Sequence, residues 1–483
     1  MIQVMLIKMQ KSIIYSFLLS ILFVHTSYAL DGDIYDFFLP NGMKVILMEK
    51  HSMPRVGLGV YYNVGSHDEK WGQKGINKFL FQVLNDGTVR YPSDEIKKKF
   101  DTFSMYRNSW TNKDMCFIVS ELPKEELEFG LALESDIMKN PIIDQQSIAK
   151  NLTRYKIKYE NYHQDKSLWR NNNSFKEILP PNHPYKTDDF GIWEQIDTLS
   201  LTTYKNYYDT YFTPNNAVLV VVGNINPKEV TELIYKKFVP IKSSNNIPID
   251  PNFEINKNID EKIPTFASYD EYLGSYGENV YMTFFMPSSR NDDTILLEHL
   301  SQILLSDIIS GGNLNKKITK NRKIVDMIYS WTNVSLGPSG FSIYGYNMAK
   351  KISPKKFKNA VLKTFKNIAE NGIDEKLLNQ YKKSELLKFF LYENNDFGSI
   401  ANKLGSAEII NGDYRFYNKK FNVLENITNK EIKRVAKTYL VESNMYLYKE
   451  EVNKHEKKWY FQLGSFIIHN TIWRIWNPFS ELN

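Results

Sequence analysis

One layout occurs twice in this chain. The apolar run from Val60 to Val64 leads through a short acidic loop to the stretch Gly75 to Gly87. The run Val280 to Met286 leads through Asn291, Asp292 and Asp293 to a second apolar stretch, Thr294 to Ile309, closed by Gly311 and Gly312. Recurrence of one supersecondary pattern at long spacing is the mark of a duplicated unit. Alternating strand-like and helix-like segments in each copy predict an α+β fold of two homologous halves, each a mostly antiparallel sheet with helices packed on one face. At 483 residues the chain is long enough to give each half its own core.

The first half reads as a mixed unit from Ile34 to Phe238. Met43 to Met48 and Val56 to Tyr62 are expected strands, with Pro40, Asn41 and Gly42 as the preceding turn. The run Met115 to Val119 places Cys116, the only cysteine, inside a buried strand, where it is a core residue and not a nucleophile; a single thiol also excludes cysteine-based zinc sites. Pro123 to Asn140 is an expected helix with an apolar stripe through Leu127, Leu131, Leu133 and Ile137. Val218 to Val222 is unbroken and mostly β-branched, which predicts a strand buried on both faces. Asn226, Pro227 and Glu229 then supply an N-cap, a first-turn proline and an N3 acid for a helix through Phe238. The polar, turn-rich stretch that follows divides the chain into residues 30–240, a linker 241–264, and a second half 265–450.

The two ends differ from this body. Lys8 and Lys11 precede a 12-residue apolar core, Ile13 to Val24, and Ser27-Tyr28-Ala29 suits signal peptidase, so residues 1–29 are expected to be a secretory signal and the mature chain periplasmic or secreted. An uncleaved anchor in the inner membrane is the competing reading. Cleavage after Ala29 removes two lysines and no acids, taking the formal charge from +6 to +4, too little for a nucleic-acid partner. Residues 451–483 carry Trp459, Trp473 and Trp476 among other aromatics. A protein or membrane contact, packing on the chain's own surface, and a relic of a shifted reading frame all remain open for this tail.

Three groups of residues carry a resemblance. Val64-Gly65-Ser66 is followed by Gly75, Phe79-Leu80 and Gly87-Thr88; His183-Pro184-Tyr185 precedes Gly191, Ile196 and Leu199; and Tyr211 to Asn224 reads Y-F-T-P-N-N-A-V-L-V-V-V-G-N. Together they resemble the pitrilysin/insulinase family of zinc metallopeptidases over roughly residues 34 to 450. The resemblance implies that the two halves face each other across a cavity enclosing unfolded peptide. It also makes His183 a structural turn residue.

The family's inverted zinc motif, H-x-x-E-H, is missing. Its two histidines fall on Lys78 and Gln82, its general base on Phe81, and its third ligand, a glutamate on a later helix, on Lys158, with Asn151 at an acidic position seven residues before. An ammonium repels a dication, a carboxamide is a poor zinc ligand, and a phenyl ring accepts no proton. The expectation is therefore no metal and no catalytic residue in this chain. None of the eight histidines stands three or four residues from another, and the single pair Glu160 and His163 falls short of a di-metal carboxylate site. The resemblance places Asn108 and Thr111 at the rim of the substrate cleft. Asn108 reads equally as a hydrogen-bonding partner for an extended peptide or as a turn residue. In the second half the family's substrate-gripping arginine and tyrosine fall on Thr319 and Asp326.

The function implied is that of a non-catalytic homologue: the partner subunit of an active zinc-bearing homologue, degrading peptides in the periplasm as a heterodimer, with zinc held only by the partner. An active metalloendopeptidase with unrecognised ligands and a peptide-binding scaffold without proteolysis are the alternatives.

Overall fold

The computed structural model describes residues 33–164, 179, 183–247, 267–268, 278–309, 324–337, 339–348, 353–391 and 396–450. The expected signal, the tail and Thr319 lie outside the described residues. Among the described residues no helix is long and apolar enough to cross a membrane.

In the first half, strands β1 (Asp33–Phe38), β2 (Lys44–Glu49) and β3 (Arg55–Tyr62) precede helices α1 (Ile76–Leu84) and α2 (Ser93–Thr102). Strands β4 (Tyr106–Thr111) and β5 (Cys116–Pro123) follow, then α3 (Leu127–Lys139), α4 (Gln145–Gln164), α5 (Leu201–Tyr211), β6 (Ala217–Gly223) and α6 (Pro227–Phe238). In the second half come β7 (Ala267–Ser268), β8 (Glu278–Met286), α7 (Asp292–Ile309), β9 (Val325–Asn333) and β10 (Ser339–Met348). Helices α8 (Pro354–Asn371), α9 (Glu375–Leu391), α10 (Phe397–Asn411), α11 (Phe416–Asn426) and α12 (Asn429–Tyr439) lead to β11 (Met445–Glu450).

The first sheet runs β1-β2-β6-β3-β5-β4 and the second β7-β11-β8-β10-β9. The core order β6-β3-β5-β4 thus recurs as β11-β8-β10-β9, with α1 and α7 each following the corresponding strand. This is the expected α+β duplication in three dimensions. All pairings are antiparallel except β2 with β6 and β7 with β11.

Strand alternation sorts the first sheet's residues onto two faces. Val56, Leu58, Val60, Leu219 and Val221 pack with α1, α3, α4, α5 and α6. Ile46, Met48, Tyr61, Phe117, Val218, Val220 and Val222 point the other way and pack on Phe397, Ile400, Ala401 and Leu404 of α10. The expectation of helices on one face holds for what the first half contributes itself; the opposite face is covered by a helix of the second half. Two glycines permit this contact. A Cβ on Gly57 of β3 would sit 2.1 Å from the Phe397 carbonyl oxygen, and one on Gly405 of α10 would sit 2.2 Å from the Tyr61 ring. The second sheet packs one face on α7, α8, α9 and α12. Its opposite face is aromatic, with Tyr281 and Tyr344 stacked at 4.4 Å beside Trp331 and Tyr446.

A second seam between the halves is polar. The Tyr185 hydroxyl donates to Asp114 and accepts from Gly337 N at 3.0 Å, while Leu336 N donates to Asp114 Oδ2 at 3.3 Å. The His-Pro-Tyr turn of the first half is thereby fastened to the β9–β10 loop. Within the turn, His183 accepts from Tyr185 N at 3.1 Å; burial, Lys113 and Lys186 lower its pKa to about 4, which keeps the ring neutral for that role.

Gly405→Ala should force α10 off Tyr61 and lower stability by about 1–3 kcal/mol, the usual cost of overpacking a tight core. Urea unfolding read by circular dichroism measures it; an unchanged midpoint would show that the helix has room to move.

Candidate functional site

The site is built on α1 and α4. Gly75 enters α1 with φ of 101°, a left-handed geometry that favours glycine. The buried Glu69 carboxylate accepts from Gly75 N at 2.8 Å and Asn77 N at 2.9 Å, satisfying helix-terminal donors. Burial pushes its pKa up, opposed by those two N–H groups and by Lys74.

Along α1, the residues at the zinc-motif positions have distinct surroundings. Phe81 is 3% exposed and stacks on Phe212 at 6.0 Å, with Tyr62 edge-on at 6.5 Å. The position that the resemblance assigns to a general base is thus part of the aromatic core. Lys78 donates to Thr111 Oγ1 at 3.2 Å, and its ammonium stands 4.8 Å from the Phe190 ring centre and 5.9 Å from that of Trp110. Gln82 meets α4: its Oε1 accepts from Lys158 Nζ at 2.7 Å and its Nε2 donates to Asn151 Oδ1 at 3.1 Å. Asn151 in turn donates to Asp86 Oδ2 at 3.1 Å, and Arg154 donates to both Asp86 oxygens at 2.7 and 2.9 Å. Gln82 is therefore joined in one hydrogen-bonded chain to Asn151 and Lys158, some seventy residues further along the sequence.

Burial would raise the Asp86 pKa, but Arg154, Asn151 and Lys150 outweigh it and hold the carboxyl below its usual range. Burial lowers the Lys158 pKa, and the neighbouring cations Arg154 and Lys78 lower it further against the pull of Asp86.

These side chains do not fit zinc. Two ammoniums, a phenyl ring and a carboxamide offer no anionic or imidazole ligand. Among the described residues no three His, Cys, Asp or Glu side chains are grouped to hold a metal. His163 bonds to the Tyr159 carbonyl at 2.7 Å and faces Asp188 at 3.4 Å; Glu160 does not share these contacts. Cys116 is fully buried on β5, accepting from Asn77 Nδ2 at 3.1 Å, and burial pushes its thiol well up.

The structure separates the two candidate peptide contacts. Asn108 lies within β4, an edge strand paired only with β5, opposite Val119, so the turn reading is set aside. It is exposed on the same side as Tyr106 and Trp110, whereas Thr111 is buried against Lys78. Asp326 is exposed on β9, the corresponding edge strand of the second sheet. Sequence reasoning missed Asp86, Arg154 and Glu69. Asp86 stands four residues after Gln82, just past the end of α1 at Leu84, and Arg154 three after Asn151 on α4, spacings that gain meaning only once the two helices are known to face each other.

Two family models match the chain. "Insulinase (Peptidase family M16)" covers residues 44–180, and "Peptidase M16 inactive domain" covers residues 198–385. The chain belongs to the M16 peptidase family. "Zinc protease PqqE" of Helicobacter pylori is 24% identical over 275 residues, which is 55% of this chain and 60% of that protein. "Uncharacterized zinc protease YmxG" of Bacillus subtilis is 20% identical over 411 residues, 83% of this chain and 94% of that one. Among solved structures, an M16 inactive domain from Pseudomonas fluorescens superposes with a TM-score of 0.72 at 17% identity, over 88% of this chain and 99% of that one. A protease from Helicobacter pylori does so at 0.71 and 18%, over 87% and 100%. At such identities the structures speak for the M16 fold alone.

Two outcomes test the site. Lys78→His with Gln82→His should take up no stoichiometric zinc, and adding Lys158→Glu should produce about one bound zinc per chain, read by equilibrium dialysis and elemental analysis. Zinc uptake by the double variant would show that Lys158 does not stand at the third ligand's place. Because the folded Asp86 pKa is depressed, its contribution to stability is present above the unfolded value of about 4 and is lost as pH falls through the folded value. Asp86→Asn should lower the urea midpoint near pH 7 and leave it unchanged near pH 2.

Proposed function

We propose that this chain is a non-catalytic M16 homologue that works as the partner subunit of an active, zinc-bearing homologue in degrading peptides in the periplasm. The observation that carries this reading is the hydrogen bond from Lys158 to Gln82, two residues at positions that the resemblance assigns to zinc ligands, extended to Asn151 at the neighbouring acidic position. Phe81 adds to it, because hydrolysis by a metal-bound water needs a proton acceptor at that position.

In the proposed division of labour the partner activates water on its zinc and this chain supplies the opposite wall of the cleft. Among the described residues β4 and β9 are the last strands of their sheets, and such an edge can take up an extended peptide by strand addition. The Lys8 to Ala29 segment supports a periplasmic address. The covering of the first sheet by α10 supports a chain that acts as one rigid wall of two halves.

Tagged mature chain isolated from its own cells should carry a second M16 chain with an intact H-x-x-E-H at about one to one, identified by mass spectrometry. The pair should cleave unfolded peptide with chelator sensitivity, and this chain alone should not. Recovery of the chain alone, or with a complex unrelated to peptidases, would overturn the subunit reading in favour of a scaffold.

A further inference from the structure

Lys78 and Lys158 project from the facing helices α1 and α4 at the positions of two ligands to a dication. Among the described residues neither is paired with a carboxylate. Lys78 is held by Thr111 Oγ1 at 3.2 Å and by the faces of Phe190 and Trp110, and Lys158 by Gln82 Oε1 at 2.7 Å. The nearby acid is already committed: Asp86 takes Arg154 at 2.7 Å and Lys150 at 3.3 Å. Arg154 and Lys150 thus hold the one nearby carboxylate, and Lys158 feels it only as a more distant charge.

The partners that Lys78 and Lys158 do have orient them without neutralising them. A hydroxyl, a carboxamide oxygen and aromatic faces attract an ammonium, but each leaves N–H donors and the full positive charge available. Lys158 Nζ meets Gln82, which stands one helical turn after Lys78 on α1, so the two ammoniums share one side of the helix pair, and Lys78 adds to the lowering of the Lys158 pKa. Trp110, 58% exposed on β4, sets this charge beside the free strand edge that carries Asn108.

We propose that Lys78 and Lys158 form a carboxylate-binding site at the end of the β4 edge, taking either the C-terminal carboxylate of a peptide or the side chain of an acidic residue in it. The family's position for a cation has become a position for an anion. The proposal rests on the reading that this cleft receives peptide. Its energetic basis is the charge-assisted hydrogen bond, stronger than a neutral one and strengthened where solvent is partly excluded. Lysine suits a carboxylate arriving in varied orientations, because its three donors rotate about a point charge.

The test is fluorescence anisotropy of the full mature chain with three dye-labelled peptides of one neutral sequence: with a free C-terminus, with an amidated C-terminus, and amidated with one central glutamate. Expected is roughly tenfold tighter binding of at least one carboxylate-bearing peptide than of the neutral amide, a preference that shrinks with added salt. The free-terminus and glutamate arms tell which source of carboxylate is used. Lys78→Met with Lys158→Met should erase the preference, and Lys78→Arg with Lys158→Arg should keep it, each variant shown folded by its melting temperature. Equal binding of all three peptides, or a preference that survives the methionine variant, overturns the carboxylate site and leaves the peptide-wall reading standing. Failure of every peptide to bind overturns both the site and that reading of the cleft, whereas the subunit reading is decided separately by whether the zinc-bearing chain is captured.

Discussion

The packing of α10 on the first sheet is the contact on which the molecule's integrity depends. A sheet buried on one face only would expose Ile46, Met48, Tyr61, Val218, Val220 and Val222, an apolar surface that is costly to leave in water. The first half has no element of its own on that face among the described residues. It borrows a helix from the second half, and the approach is so close that Gly57 and Gly405 leave no space for a methyl group. The two halves therefore share a core, and neither is complete as a folding unit without the other.

Against that rigid background the junction of α1 and α4 is an ordered polar network. Removing a metal from between two helices would leave polar groups and a void. Here Lys158 donates to Gln82, Gln82 to Asn151 and Asn151 to Asp86, and Arg154 donates to Asp86 from the other side, so that the run converges on one carboxylate. Networks satisfied in this way hold their elements in place, whereas a half-satisfied one costs more than an apolar filling. Phe81, on the inner side of α1, joins the aromatic core of Tyr62 and Phe212. In this M16 fold α1 and α4 are joined by side chains alone.

Much of this was legible in the residues. The β-branched run Val218 to Val222 announced a strand buried on both faces, and β6 is one. Asn226 caps α6 with its side chain on Lys228 N and Glu229 N, as its position before a proline implied. The placing of Lys158 opposite Gln82 followed from motif spacing and appears as a direct hydrogen bond. Other features could not be read locally. The apolar spacing of Phe397, Ile400, Ala401 and Leu404 says that α10 buries a face, but nothing in it says that the face lies on the other half's sheet. Asp86 and Arg154 look like ordinary surface charges until the fold brings α1 and α4 together. Thr111 reads as a strand polar residue open to a ligand, and only the position of Lys78 above it closes it.

Stitching α1 to α4 through side chains has a consequence for how such a protein is made. Where a metal joins two helices, folding and metal loading are one process, and the yield of finished protein follows the supply of the ion. A helix pair tied by its own lysine, carboxamides and carboxylate carries its fastening within the polypeptide. The joining of these two helices is then complete as soon as the chain has folded, with no ion to wait for.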